Sequence, residues 1–114
     1  MATLIQPTGP AHTRILSVGA ARGDLDVPNG ELVAAIDSSD EWIRQRTGII
    51  QRRRASDQVQ AVDLAVEAGE EAILGSGLER SEIDGVIIST ISNVAVTPSM
   101  ASLAAYRLGL SPAA

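Results

Sequence analysis

The sequence predicts an α/β fold, with strands and helices alternating along the chain and joined by right-handed crossovers. Three stretches carry that reading. Residues 14–20, R-I-L-S-V-G-A, alternate apolar with small or polar side chains at period two, as a half-buried strand does. Residues 58–74 space Val59, Val62, Val66, Gly69 and Ile73 three and four apart, with Asp63, Glu67, Glu70 and Glu71 turned away, as an amphipathic helix requires. Residues 85–91, G-V-I-I-S-T-I, form a short β-branched apolar run that suits a strand covered on both faces.

Taken in order, residues 1–13 carry Pro7, Gly9 and Pro10 and are expected to be a loose leader. The first strand follows at 14–20, then a loop at 22–28. Asn29 suits the N-cap of a short helix over 31–36 whose apolar face is Leu32, Val33 and Ile36. A second short helix lies within 37–48, and 49–54 reads as a β segment from which arginines leave toward a surface. The long helix at 58–74 is stopped by Gly75 and Gly77, and 81–84 makes a turn. After the apolar strand at 85–91 and a loop at 92–96, Thr97 caps and Pro98 begins a last helix to about 108, since Pro is favoured at the first helical position. Gly109 ends it. A strand of the buried type needs neighbours on both sides, so residues 14–114 read as the first part of a larger α/β domain. There is no internal repeat.

The stretch 37–48, D-S-S-D-E-W-I-R-Q-R-T-G, holds the only Trp. Ser38 or Ser39 can accept from the free amides of a first helical turn. Asp40 and Glu41 sit where the helix dipole favours carboxylates, and Gly48 is placed as the C′ residue. Trp42 and Arg46 are four apart and share a face, with Ser38 or Ser39 one turn earlier. A π surface, a guanidinium and a hydroxyl on one helix suit an aromatic ligand that bears phosphate. The same spacing equally allows Arg46 to stack on Trp42 as a structural cation–π pair.

Bulk properties narrow the function. At 114 residues the chain is one domain or a piece of one, and burial of roughly 65% of the unfolded surface is the most such a length reaches. It is 45% hydrophobic and only 2% aromatic, so its core must come from close packing of Ala, Val, Ile and Leu. A net charge of −5 argues against a nucleic-acid binder. All nine basic residues are Arg, and Arg44, Arg46, Arg52, Arg53 and Arg54 fall in one stretch free of Asp and Glu. Arg matches phosphate or carboxylate in two-point fashion, although charge along a strand edge also guards against edge pairing. With no Cys there is no disulfide, thiolate metal site or thiol nucleophile, and His12 reads as a solvated tail residue. Neither a secretory signal nor an apolar membrane span is present, so a cytoplasmic location is expected.

D-S-S-D-E-W-I-R-Q-R-T-G-I, set between a short helix and a strand, resembles β-ketoacyl-acyl carrier protein synthase III, a thiolase-like condensing enzyme that starts fatty acid synthesis. The likeness runs on through D-G-V-I-I-S-T and T-P-S-M-A-S-L-A-A-Y-R-L-G-L and covers residues 14–112. It implies a thiolase-like layered αβαβα fold, of which this chain is the first part of the amino-terminal half. The implied reaction is ping-pong acyl transfer, in which a cysteine takes an acyl group from acyl-coenzyme A and condenses it with malonyl-acyl carrier protein. The family's cysteine would fall a few residues after Ala114, with its His and Asn later still, so the chain should bind coenzyme A without running the chemistry alone.

By motif position, Trp42 would stack on the adenine of coenzyme A, Ser38 would hydrogen-bond the base and Arg46 would meet the phosphates. Thr97 stands where many relatives carry Phe, at a residue that lines the acyl pocket of the partner in a homodimer. Its small side chain implies a preference for starters bulkier than acetyl. Arg52, Arg53 and Arg54 match no motif position; they are expected to charge a strand edge or help dock an acidic carrier protein. No cofactor is implied beyond the coenzyme A thioester as substrate, and neither nucleic acid nor membrane as partner. A polyketide-type starter synthase of the same superfamily, or a non-catalytic coenzyme A-binding module, would share these features.

Overall fold

Asp26 stands opposite Arg53 in a two-stranded antiparallel ribbon that joins β1 (Leu25–Pro28) to β2 (Gln51–Arg54). In the computed structural model, which describes residues 12–33, 35–93, 95 and 97–110, this ribbon is the one ladder among the described residues. Between its strands lie helices α1 (Asn29–Val33) and α2 (Asp40–Thr47). After β2 come α3 (Ala61–Ser76), a single 3-10 turn (Arg80–Glu82) and α4 (Met100–Arg107).

The helices form where their end chemistry allows. Ser39 caps α2, its Oγ accepting from Trp42 N at 3.1 Å, and Gly48 closes it in the left-handed region at φ 70°. In α3, Asp63 Oδ2 accepts from Gln60 N at 2.7 Å and so satisfies a free amide at the helix start, Gly75 continues the helix, and Gly77 ends it at φ 72°. These ends lie close to their expected places. α4 differs. Its cap is Ser99, whose Oγ accepts from Ser102 N at 3.1 Å, and helical geometry begins at Met100. Thr97 and Pro98 therefore precede the helix and do not start it.

Further expectations are corrected. Residues 25–28, read as a loop, form β1, because their backbone finds β2 as a partner. The short helix starts at Asn29 and ends at Val33, so Ile36 leaves it. Asn29 does not cap with its side chain, which is taken up by other partners described below. Residues 14–20 and 85–91 carry no ladder among the described residues. The first stretch instead lies against α3, with Ser17 Oγ donating to Ala72 O at 2.5 Å and Ala20 N to Glu71 Oε2 at 2.7 Å. Gly19 comes so close there that a Cβ would stand 2.0 Å from Ala68 O. The second was expected to be covered on both faces and is not: Val86 and Ile88 are half-buried, while Ile87 and Ile91 are fully exposed, because no neighbouring strand lies over that face among the described residues. The loose-leader reading of residues 1–11, and positions Ala34, Val94 and Val96, lie outside the described residues.

The apolar core sits in two places. Val27 and Ile43 are buried under the ribbon and α2; Val62, Ala104, Leu108 and Leu110 are buried where α3 meets α4. Gly69 lets Leu108 close on α3, where a Cβ would lie 3.0 Å from Leu108 Cδ1. Arg80 ties the far ends together, donating to Glu70 Oε2 at 2.6 Å and to Leu108 O at 2.7 Å. Glu70 in turn holds that guanidinium above its ordinary pKa. No helix of the described residues is long and apolar enough to cross a membrane.

Candidate functional site

The site is built on α2. Its cap fixes the first turn, and Thr47 fixes the last by donating to Ile43 O at 2.7 Å and accepting from Ile49 N at 3.1 Å. This pins the axis along which Trp42 and Arg46 are spaced. Trp42 is 53% exposed, so burial is not what holds the ring in place. Arg46 places its Cζ 5.2 Å from the ring centroid, within cation–π range.

Asn29 anchors the helix from below. It is buried to 1% exposure and uses its whole amide: Nδ2 donates to Asp40 Oδ1 at 2.7 Å and to Ile49 O at 2.8 Å, and Oδ1 accepts from Arg52 Nη1 at 2.7 Å. One side chain thereby joins α1, the first turn of α2, and the entry to β2. Asp40 also receives Arg44 Nε at 2.8 Å. That charged bond, and after it the Asn29 amide, holds the Asp40 carboxyl below its ordinary pKa of 3.8.

A cleft of about 500 Å³ opens beside Trp42, lined by Ile36, Ser38, Ser39, Ile43, Thr47 and Arg52, with Asp37 at its exposed rim. Ser38 lines this cleft, and its Oγ is buried with no hydrogen-bond partner among the described residues. A hydroxyl taken from water without a partner costs about 1–3 kcal/mol, so the position suits one that a ligand satisfies. Trp42 belongs to the cleft wall and Arg46 does not, which leaves the ring open to a guest with Arg46 in place. The expected residues Ser38 and Trp42 are therefore brought together, and Arg46 joins them through the ring. Thr97 is exposed and does not border this cleft.

The arginine run divides. Arg53 pairs with Asp26 at 2.8 Å and donates to Gly23 O at 2.8 Å, which makes it part of the ribbon. Arg52 turns the other way, into the cleft, and motif reasoning assigned it nothing. Period-two alternation along 51–54 was the available signal, since it separates Arg52 from Arg53. Among the described residues there is no cluster of three or more His, Cys, Asp or Glu able to hold a metal ion.

What the arrangement offers is a flat aromatic surface, a waiting hydroxyl and two guanidinium groups around an open apolar cleft. Such a set is chemically suited to an anionic ligand with an aromatic end.

No family model matches the chain. It is 46% identical over all 114 residues to the β-ketoacyl-[acyl-carrier-protein] synthase III of Kocuria rhizophila, covering 32% of that protein. It is 43% identical over 102 residues to the protein of the same name from Tropheryma whipplei strain Twist, covering 90% of the chain and 32% of that relative. The chain thus spans about a third of the length of the curated relatives it matches. Among solved structures, 3-oxoacyl-[acyl-carrier-protein] synthase III from Aquifex aeolicus VF5 superposes with a TM-score of 0.79 at 32% identity, over 89% of this chain and 32% of that one. The priming β-ketosynthase of the R1128 polyketide pathway superposes at 0.76 with 38% identity, over 84% of this chain and 29% of that one.

Proposed function

By sequence and fold the chain belongs with the thiolase-like β-ketoacyl-[acyl-carrier-protein] synthase III proteins, and on that premise we propose that it supplies the coenzyme A-binding part of an acyltransferase that starts fatty acid synthesis. The complete protein would condense an acyl-coenzyme A starter with malonyl-acyl carrier protein. The observation that carries the reading is the buried, unpartnered Ser38 Oγ beside the half-exposed Trp42 ring. Adenine stacks on Trp42 from the cleft, Ser38 hydrogen-bonds the base, and Arg46, whose guanidinium lies over the ring, meets the phosphates.

The chain has no cysteine, so it contributes substrate handling and no thiol nucleophile to such a reaction. Covalent transfer through a thiolate divides one hard acyl exchange into two easier steps. Thr97, exposed ahead of α4, would reach the acyl pocket of the partner in a homodimer and leave room there for branched starters. The thioester is a substrate, and the reading calls for no cofactor, nucleic acid or membrane. The protein would act in the cytoplasm.

The 38% identity to a priming polyketide β-ketosynthase favours one second reading, a starter synthase that uses another carrier or acyl donor through the same coenzyme A site. A non-catalytic coenzyme A-binding module is the third.

Titrating the complete protein with coenzyme A while following the fluorescence of its Trp42 region tests the common part. Saturable quenching in the micromolar range is the expected result, and no change up to millimolar ligand would overturn the reading. Condensation assays with malonyl-acyl carrier protein then separate an acyltransferase from a module.

A further inference from the structure

We infer that Arg52 is a second anion-binding residue of the cleft, oriented by Asn29 to receive a phosphate of the ligand that stacks on Trp42. The inference rests on the coenzyme A reading and adds to it a residue on a different element, β2, at the cleft wall.

Arg52 differs from the other paired arginines in what holds it. Arg44 lies on Asp40, Arg53 on Asp26, Arg80 on Glu70 and Arg107 on Asp63, each with its charge met by a carboxylate. Arg52 is half-buried and is held by the Asn29 amide oxygen at 2.7 Å, and no salt bridge to it occurs among the described residues. An amide oxygen orients a guanidinium without neutralising it. One Nη1 hydrogen is used, and a guanidinium carries five N–H donors in a fixed fork, so a planar face remains for a two-point contact with phosphate.

The anchor is itself fixed. Asn29 is buried and its two amide hydrogens are committed to Asp40 and Ile49, so its oxygen cannot turn away from Arg52. Holding a long side chain ready in this way removes much of the ordering cost that a free surface Arg would incur on binding. Asp37 is the one acidic residue on the cleft; it is exposed at the rim and makes no bond to Arg52 among the described contacts. Arg46 sits at the ring and outside the cleft wall, so the two cations approach a ligand from different sides.

Binding of coenzyme A and of adenosine, which has the same base and no phosphate, is measured on the complete protein and its Arg52→Gln and Arg52→Lys variants. Arg52→Gln is expected to weaken coenzyme A by about tenfold to a hundredfold, the range for losing a charged hydrogen bond, and to leave adenosine unchanged. Arg52→Lys, which keeps the charge and a donor for Asn29, should recover part of the loss and stands in if the Gln variant does not fold. Equal weakening of both ligands would show that Arg52 only shapes the cleft, and no weakening of either would remove it from the site; both overturn the inference while the coenzyme A reading stands. If the unaltered protein binds neither ligand, that reading falls and the inference with it.

Discussion

Asn29 Nδ2 donates to Asp40 Oδ1 at 2.7 Å and thereby fastens the first turn of α2 to the start of α1. Because the same amide also holds Ile49 O and Arg52, the orientation of the Trp42 helix depends on one buried side chain. Asn29→Ala is expected to destabilise the protein by about 1–3 kcal/mol, the cost of leaving buried polar groups without partners. Asn29→Asp should cost more at neutral pH, since it turns acceptors toward the Asp40 carboxylate and the Ile49 carbonyl. Urea unfolding followed by circular dichroism measures both; stability unchanged in either variant would deny Asn29 its anchoring role.

Trp42→Ala separates binding from folding. The ring is half exposed and contributes little to the core, whereas loss of a base-stacking surface costs ~1–3 kcal/mol, roughly a 5- to 150-fold loss of affinity. The Michaelis constant for acyl-coenzyme A in the complete protein should rise accordingly, with little change in melting temperature. An unchanged constant with a large fall in melting temperature would return Trp42 and Arg46 to a purely structural cation–π pair.

Acid should loosen α2 through Asp40. Arg44, and then Asn29, hold its carboxyl below the ordinary value of 3.8. A depressed folded pKa means that the contribution is complete at neutral pH. It begins to fade below about pH 4, where the unfolded carboxyl takes up its proton, and is gone once the folded carboxyl is protonated too. Stability measured from pH 5 down to about pH 2 should therefore fall less steeply in Asp40→Asn than in the unaltered protein. Identical slopes would place the acid sensitivity elsewhere.

Thr97→Phe tests the acyl pocket. If the small side chain leaves room for bulky starters, adding a ring should lower the ratio of branched to acetyl-coenzyme A turnover by several-fold in the complete protein. Thr97 is exposed and makes no capping bond, so folding should not change. A ratio unmoved by the substitution, or a strict acetyl preference before it, would separate Thr97 from starter choice.

The focal helix was legible because its determinants are local. Ser39, Trp42 and Gly48 act within a single element, and each lies where cap chemistry puts it. Asn29, Arg52 and β1 were not legible in the same way, because their meaning arises across distance. Leu25–Pro28, with two Asp and a Pro in and around it, reads locally as a loop and becomes a strand only when Gln51–Arg54 lies beside it. Arg52 acquires its orientation from Asn29, 23 residues earlier. At 85–91 the apolar run reads as a strand covered on both faces, yet only Val86 and Ile88 are half-buried and Ile87 and Ile91 are exposed; cover and a ladder both need a second backbone, which a side-chain pattern does not supply. At α4 two hydroxyl residues flank Pro98, and both could cap by composition. Ser99 does so because its backbone, at φ −62° and ψ 148°, feeds directly into Met100.

The β1–β2 register has a consequence for the cleft that lies in phase and not in number. With Val27 opposite Arg52 and Asp26 opposite Arg53, successive arginines leave the ribbon on opposite sides. One residue inserted between Ile49 and Arg52 would exchange their sides, carrying Arg52 to the place opposite Asp26 and Arg53 to the cleft side opposite Leu25. With a neutral residue added, the chain would keep its net charge and its Trp42 helix and would still present an arginine on the cleft side. That arginine would arrive out of step with the Asn29 amide, so a frame of one residue sets whether the cation is held or merely near.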